Sequence, residues 1–586
     1  MSRVSDVKTS GRLRFAALIL LFLLPLALRI LPLDHGGERI YVPDNSIVRA
    51  ALGMARDQNL IPVVSSSQPY PNLLPYLLLP LYGLQYVVGR ASGAWAGVRE
   101  FGDHLLEHPA HAAWIARGLV AVFGALTAWA IFRAARAAGM KQGAWVAAWL
   151  VGTGLLSVQM STQERPWIPV VFFMVTSAWA GIAYVNQPRL KTLVWSGVLA
   201  GLSFAAHTGG LGALAFPALA WAFAPTGWKG SELRTRIVRG FSAVLAFVLV
   251  ALALGHAYLL RYGFTPTEQS VGGKQIDDLG GFNFGGGLSF IPEFSLASVP
   301  RLTRGLFGYD PIVVCLGLLG IVVAWRRRSL RGPLIFVLVW AAIFLTNRSD
   351  HVRYMLPITT LLALPAGLAV ESLWNSRGAR AVIVVLLAFP LVQAARFDWI
   401  MMRDDTRAIA DARLAELPDS SCIAIDRYGP EVDLDKRGIH ALQKIRNSRK
   451  QELRTREEAR KRELDRGTAE RAGVNAVHLE EVFGYNDRER RADVFPELEA
   501  LGTTPQAVFE RLSVTHYLRV DRRLSNDDFD FMFGAHLPGK TAWIVSPSSS
   551  ATPPREAFLP LEMEFPLTAL WIVDRPGPWL ELRLLR

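Results

Sequence analysis

PWIPVVFFMVTSAWAGIAYV, residues 166–185, runs for twenty residues without one Asp, Glu, Lys or Arg. At about 1.5 Å per residue a helix of that length crosses the roughly 30 Å of hydrocarbon in a bilayer. A basic turn with Arg189 and Lys191 follows it at once. Working outward, similar apolar stretches recur at roughly 15–33, 112–134, 143–161, 192–207, 209–225, 237–259, 309–325, 332–346, 354–373 and 380–397. Over all 586 residues the hydrophobic share is 51%, too high for a chain that must keep its whole surface wet. The fold class expected is therefore mainly α: a polytopic membrane bundle of about eleven spans.

The net charge of +13 would point to nucleic acid in a soluble protein. Here the basic residues sit in alternate short turns: Arg133, Arg136 and Lys141; Arg189 and Lys191; Lys229, Arg234, Arg236 and Arg239; Arg326 to Arg328 and Arg331; Arg377 and Arg380. Lys and Arg favour cytoplasmic turns. The pattern predicts a plasma (inner) membrane protein with a cytoplasmic N-terminus, lipid neighbours and no nucleic-acid partner. The first apolar run follows Arg3, Lys8, Arg12 and Arg14 and lacks a small-x-small cleavage site, so it reads as a retained helix. Leu73 to Val88 is also apolar, but a crossing there would turn every later basic turn outward. With Pro71, Pro75 and Pro80 to break it, this stretch is expected to lie along or dip into the outer face. Cys315 in an apolar run and Cys422 in a polar one leave no disulfide to expect.

Composition changes near residue 398, dividing the chain into a membrane domain, 1–397, and a soluble extracytoplasmic domain, 398–586. In the latter, Ser421 to Ile425, Thr515 to Val520, Thr541 to Ser546 and Trp579 to Leu585 read as short strands. Lys436 to Arg471 reads as one helix charged on nearly every face, solvated and held by intrahelical pairs such as those of Glu457 and Glu458 with Arg460 to Arg462. A small α/β or α+β domain follows from this. No internal repeat, P-loop or dinucleotide fingerprint is present.

Chemistry is to be sought in the outer segments, because charges at a bilayer need partners or water. In Tyr41-Val42-Pro43-Asp44-Asn45-Ser46, Asp44 either caps the helix that follows or serves as a general base. In Gln159-Met160-Ser161-Thr162-Gln163-Glu164-Arg165-Pro166-Trp167, Glu164 and Arg165 either pair at the interface or face a lipid phosphate, with Glu164 orienting the site. His207 ends a span as a packed histidine or a ligand-facing one. Asn347-Arg348-Ser349-Asp350-His351-Val352-Arg353-Tyr354 offers an anion site or a grip on lipid headgroups. The loop from Arg261 to Tyr309 carries Lys274, Asp277, Asp278 and glycines from Gly280 to Gly287, and reads as a lid or as disorder. No metal is assigned and no cofactor is called for. The carboxylates are too few to specify a divalent cation, whose involvement stays open.

Several of these elements occur in a meaningful order. They are Pro43-Asp44, the Pro-rich stretch from Tyr70-Pro71 to Pro80, Arg117 opening a span, a polar turn before Val170-Val171-Phe172-Phe173, Gly201 to Gly209, and Arg353-Tyr354-Met355-Leu356-Pro357. Together, over roughly residues 13–397, the chain resembles the GT-C superfamily, family 39 type, which includes protein O-mannosyltransferases and bacterial aminoarabinose transferases. The resemblance implies inverting transfer of a sugar from a polyprenyl-phosphate donor to a lipid, glycan or protein acceptor on the outer face. It implies Asp44 as base, to which the reading of the second outer turn adds Glu164 as orienting acid. Arg353, with Tyr354 and Arg348, would hold the donor phosphate, joined by Arg165 and by His207 or Lys274. Two positions depart from the common pattern: Asn45 where many members have Glu, and His207 where many have Lys. Two other classes stay in view, a lipid or sugar transporter and a non-catalytic assembly scaffold. Transport calls for polar or broken segments in mid-membrane, whereas the ionisable groups here cluster on one side.

Overall fold

The structure, a computed structural model, describes residues 19–37, 39, 46–62, 70–225, 229–262, 282–283, 289–290, 298–346, 352–426, 428–448, 453, 455–469, 473–479, 509–510, 512–521, 539–549 and 564–585. The chain forms two compact units. The first comprises Met1–Leu33, Asp44–Gln85 and Ala113–Asp398; the second comprises Asp34–Pro43, Tyr86–Ala112 and Trp399–Arg586.

The helices as far as residue 401 mostly follow the apolar runs, with α2, α4 and α13 outside them: α1 (Ile19–Ile30), α2 (Ser46–Arg56), α3 (Leu73–Ser92), α4 (Val98–Glu107), α5 (Pro109–Ala137), α6 (Gln142–Thr153), α7 (Leu155–Ser161), α8 (Trp167–Asn186), α9 (Leu190–Ala206), α10 (Ala215–Phe223), α11 (Gly230–Val250), α12 (Ala257–Tyr262), α13 (Ser298–Phe307), α14 (Pro311–Arg326), α15 (Arg331–Thr346), α16 (Leu356–Leu373) and α17 (Arg377–Met401). Of these, α4 falls in the second unit, and α3, α5 and α17 run across the division. Among the described residues five helical stretches are long and apolar enough to cross a membrane: Pro109–Ala137, Trp167–Asn186, Gly230–Gly255, Val352–Leu373 and Arg377–Leu414. The bent pair α6 and α7 makes a sixth, and α1, α9, α14 and Thr208–Phe223 are apolar but shorter. The chain is an integral membrane protein.

Two expectations change. The prolines do not break α3, which continues for 20 residues through Pro80. Pro75 lies in its first turn, where a missing N–H leaves no helical bond unmade. The run 143–161 is not one straight span either, because α6 and α7 meet at a bend of 51°.

Without a hydrophobic drive between helices in lipid, close backbone approach through small residues holds the bundle together. A Cβ on Gly143 would overlap the Gly367 carbonyl, and one on Gly367 the Gly143 carbonyl, so α6 and α16 touch at bare backbone. Glu371 of α16 locks that contact, its Oε2 accepting from the amides of Lys141 at 2.7 Å and Gly143 at 2.9 Å at the start of α6.

Within the first unit a two-residue hairpin pairs β1 (Phe282–Asn283) with β2 (Ser289–Phe290). The second unit holds a mixed sheet of β3 (Ile423–Ile425), β4 (Ala476–His478), β5 (His516–Asp521), β6 (Lys540–Val545) and β7 (Trp579–Leu584), in the order β4-β3-β5-β7-β6. The pairs β3–β4 and β3–β5 are parallel; β5–β7 and β6–β7 are antiparallel. Alternation along β3 buries Ile423 and Ile425 on one face and Ala424 on the other. The first face packs on α18 (Thr406–Leu414) and α19 (Lys436–Ser448) through Ala410, Leu414, Ile439 and Leu442.

The charged stretch expected as one solvated helix is instead α19 and α20 (Thr455–Arg466). Ile439, Leu442 and Ile445 form a buried stripe along α19, which total charge concealed. Arg446 Nη1 and Glu457 Oε2, 3.0 Å apart, tie the two helices together.

Candidate active site

The turn from α7 into α8 is polar in sequence, yet Gln159 and every residue from Ser161 to Arg165 are buried in the first unit. Burying such groups is costly unless each finds a partner. For Glu164 that partner is Arg117 of α5, whose Nε donates to Oε2 at 2.7 Å with both side chains fully excluded from solvent. Arg117 Nη1 also donates to the Leu33 carbonyl at 2.8 Å. The second Glu164 oxygen, Oε1, accepts no hydrogen bond among the described residues. Burial first, and then the Glu164 charge, raise the Tyr82 phenol above its ordinary pKa, so Tyr82 of α3 feels this carboxylate.

Trp167, the first residue of α8, gathers the other candidates. Its ring centroid lies 4.4 Å from that of His207 and 5.0 Å, edge-on, from that of Tyr354. The Arg353 guanidinium carbon is 5.4 Å from the Trp167 ring and 5.7 Å from the Tyr354 ring, within cation–π range of both. His207 stands at the end of α9 in extended backbone, and its Nδ1 accepts from the Gly209 amide at 2.9 Å. That bond fixes the proton of the neutral imidazole on Nε2. The Tyr70 ring flanks His207 at 5.1 Å. Tyr354, in the short turn Val352–Met355 that leads into α16, is held by the Trp340 indole N–H on its carbonyl at 2.9 Å and by Phe344 stacked at 5.3 Å.

Of the residues expected from sequence, the structure thus brings His207, Arg353 and Tyr354 together on Trp167, which follows Glu164 and Arg165 closely in the chain. Asp44, Lys274 and Arg348 lie outside the described residues, as do Asn45, Asp277, Asp278, Asp350 and His351. Sequence reasoning did not assign Arg117, Trp167, Tyr70 or Tyr82 to the site. Arg117 carried a readable signal, since an arginine inside an apolar span demands an internal partner. Among the described residues no three His, Cys, Asp or Glu side chains are grouped so as to hold a metal ion.

Long apolar helices and a buried acid–arginine pair at a polar turn define a polytopic helical membrane unit. More particularly, residues 109–256, which carry Arg117, Glu164, Arg165, Trp167 and His207, match the family model described as dolichyl-phosphate-mannose-protein mannosyltransferase. The resemblance read from the order of the loop motifs is borne out by that match. Solved structures that align with the chain include ArnT from Cupriavidus metallidurans in the apo state, at 13% identity and TM-score 0.45, covering 87% of this chain and 95% of that one. The same protein bound to undecaprenyl phosphate aligns at 16% identity and TM-score 0.40, covering 72% and 67%. The archaeal oligosaccharyltransferase AglB from Archaeoglobus fulgidus, in complex with an inhibitory peptide and a dolichol-phosphate, aligns at 14% identity and TM-score 0.45, covering 87% and 70%. No curated protein matches the chain.

Proposed function

We propose that this chain moves a sugar from a polyprenyl-phosphate donor to an acceptor on the outer face of the membrane, with inversion at the anomeric carbon. The acceptor heteroatom attacks the anomeric carbon as the bond from that carbon to the phosphate oxygen breaks. Asp44 takes the acceptor proton, and the polyprenyl phosphate leaves with its charge met by Arg353 and Arg165. Phosphate is a good leaving group once that charge is stabilised, so one carboxylate base suffices where glycosidases use two. Glu164, held by Arg117, orients the site; His207 and Tyr354, with Lys274 and Arg348, complete the phosphate surroundings. The arrangement requires eleven crossings of the inner membrane, a cytoplasmic N-terminus, and a domain from about residue 398 outside the cytoplasm.

The observation that supports this reading most is the convergence of His207, Arg353 and Tyr354 on Trp167, three residues along the chain from Glu164 of the buried Arg117–Glu164 pair. The family matched over residues 109–256, dolichyl-phosphate-mannose-protein mannosyltransferase, agrees with it. Arg353→Ala is expected to raise the KM for a polyprenyl-phosphate sugar by about 10- to 100-fold, the worth of a charge-assisted hydrogen bond. Initial rates over a range of donor concentrations in nanodiscs measure this, and an unchanged KM would remove Arg353 from the phosphate site. A lipid flippase is the second reading, favoured by the break between α6 and α7 within the membrane unit. It requires movement of the donor lipid between leaflets of reconstituted vesicles without transfer of its sugar.

A further inference from the structure

The break between α6 and α7 is held by side chains from distant parts of the first unit. A break in an apolar span leaves carbonyls on one side and amides on the other without helical partners, and hydrocarbon offers none. From α1, Arg29 reaches across it. Its Nη1 donates to the carbonyls of Gly152 at 2.7 Å and Pro25 at 2.8 Å, its Nη2 to the Val151 carbonyl at 3.4 Å and Ser157 Oγ at 2.9 Å, and its Nε to Ser161 Oγ at 3.0 Å. Those five contacts use all five N–H donors of a guanidinium. Two go to the end of α6 and two to hydroxyls on α7, so one planar group ties both half-helices at a fixed angle.

On the far side of the break, Asp310 Oδ1 accepts the Leu155 amide at 2.8 Å, where α7 begins. The backbone is shaped to these partners. A Cβ on Gly154 would come within 2.7 Å of the Leu150 carbonyl and 3.2 Å of Asp310 Oδ1, and one on Gly124 of α5 would overlap Ser161 Oγ and the Arg29 side chain. Asp398 of α17 lies within electrostatic reach of Arg29. The segment so held leads from Ser161 directly into Glu164 and Arg165.

We propose that Arg29 is a positioning residue for sugar transfer: by fixing the bend between α6 and α7 it sets where Glu164 and Arg165 stand. The inference rests on the transfer reading above for its consequence, but the placement of the turn is measurable without it. Lysine keeps the charge but offers a single ammonium in place of the planar fork, so it cannot span both half-helices. Arg29→Lys is therefore expected to lower kcat by about 100-fold, the cost of a misplacement near 1 Å, and to raise the KM for the donor because Arg165 shifts together with Glu164. Hydrogen–deuterium exchange of the amides from Leu155 to Arg165 should quicken in the same variant.

The double variant Ser157→Ala/Ser161→Ala keeps Arg29 and removes its α7 acceptors, together with the bond from Ser161 Oγ to the Ser157 carbonyl. It should show the same faster exchange with a smaller fall in kcat, and it decides the matter if Arg29→Lys fails to fold. Unchanged exchange in the folded variants, or a loss of activity matching the loss of folded protein with kcat per folded molecule intact, overturns the proposal. Should the unaltered protein transfer no sugar from any polyprenyl-phosphate donor, the transfer reading fails, and the exchange data still decide whether Arg29 fixes the bend.

Discussion

Asp44→Asn is expected to abolish sugar transfer and to leave the protein folded with its donor bound. Asparagine matches aspartate in shape and caps helices about as well, so α2 loses nothing if Asp44 serves only as a cap. What asparagine lacks is the capacity to take a proton, and general-base catalysis contributes roughly 10²- to 10⁴-fold to a rate. Donor affinity should hold, because the phosphate is assigned to Arg353 and Arg165 rather than to the base. The segment after Asp44 is well anchored: Ile47, Ala51 and Met54 of α2 are buried along one face. Initial rates and donor binding in nanodiscs, measured side by side, separate the two roles. Near-normal turnover in the variant removes Asp44 from the chemistry.

The second large effect concerns the Arg117–Glu164 pair. Removing one member of a buried ion pair leaves the other charge stranded, at a cost of about 3–5 kcal/mol, whereas replacing both is often neutral. Arg117→Met alone should therefore lower the thermal midpoint in detergent sharply and reduce the yield of folded protein. Arg117→Met combined with Glu164→Leu should recover most of that stability while transfer stays lost, because the orienting acid is gone. A double variant as unstable as the single one would show that the two side chains do not act as a pair. A double variant that transfers sugar normally would take Glu164 out of the site.

Much of the membrane unit was legible in the sequence because hydrocarbon imposes a simple demand, a long uncharged run with its backbone bonds made internally. Most of the long helices overlap those runs, though α2, α4 and α13 lie outside them; β3, β5, β6 and β7 fall in segments read as strands, and β4 does not. What escaped was set by partners far along the chain. The bend at Gly154 depends on Arg29 and Asp310, which lie over 120 positions from the groups they hold. The gathering of His207, Arg353 and Tyr354 on Trp167 is likewise tertiary: each residue reads locally as an ordinary polar or aromatic group at a helix end. In α19 the cause was different, since the stripe Ile439, Leu442 and Ile445 was present in the sequence but outnumbered by charge. The prolines of α3 misled because a helix tolerates proline in its first turn, where Pro75 falls, and can carry one inside, as at Pro80.

The central claim is that a lipid-borne phosphate sits among the cations and rings around Trp167. Native mass spectrometry of the purified protein supplied with a polyprenyl-phosphate sugar tests it most directly. The account predicts a bound lipid of that mass on the unaltered protein and on Asp44→Asn, and its loss from Arg353→Ala. Absence of any such adduct, or equal occupancy in all three, would contradict it.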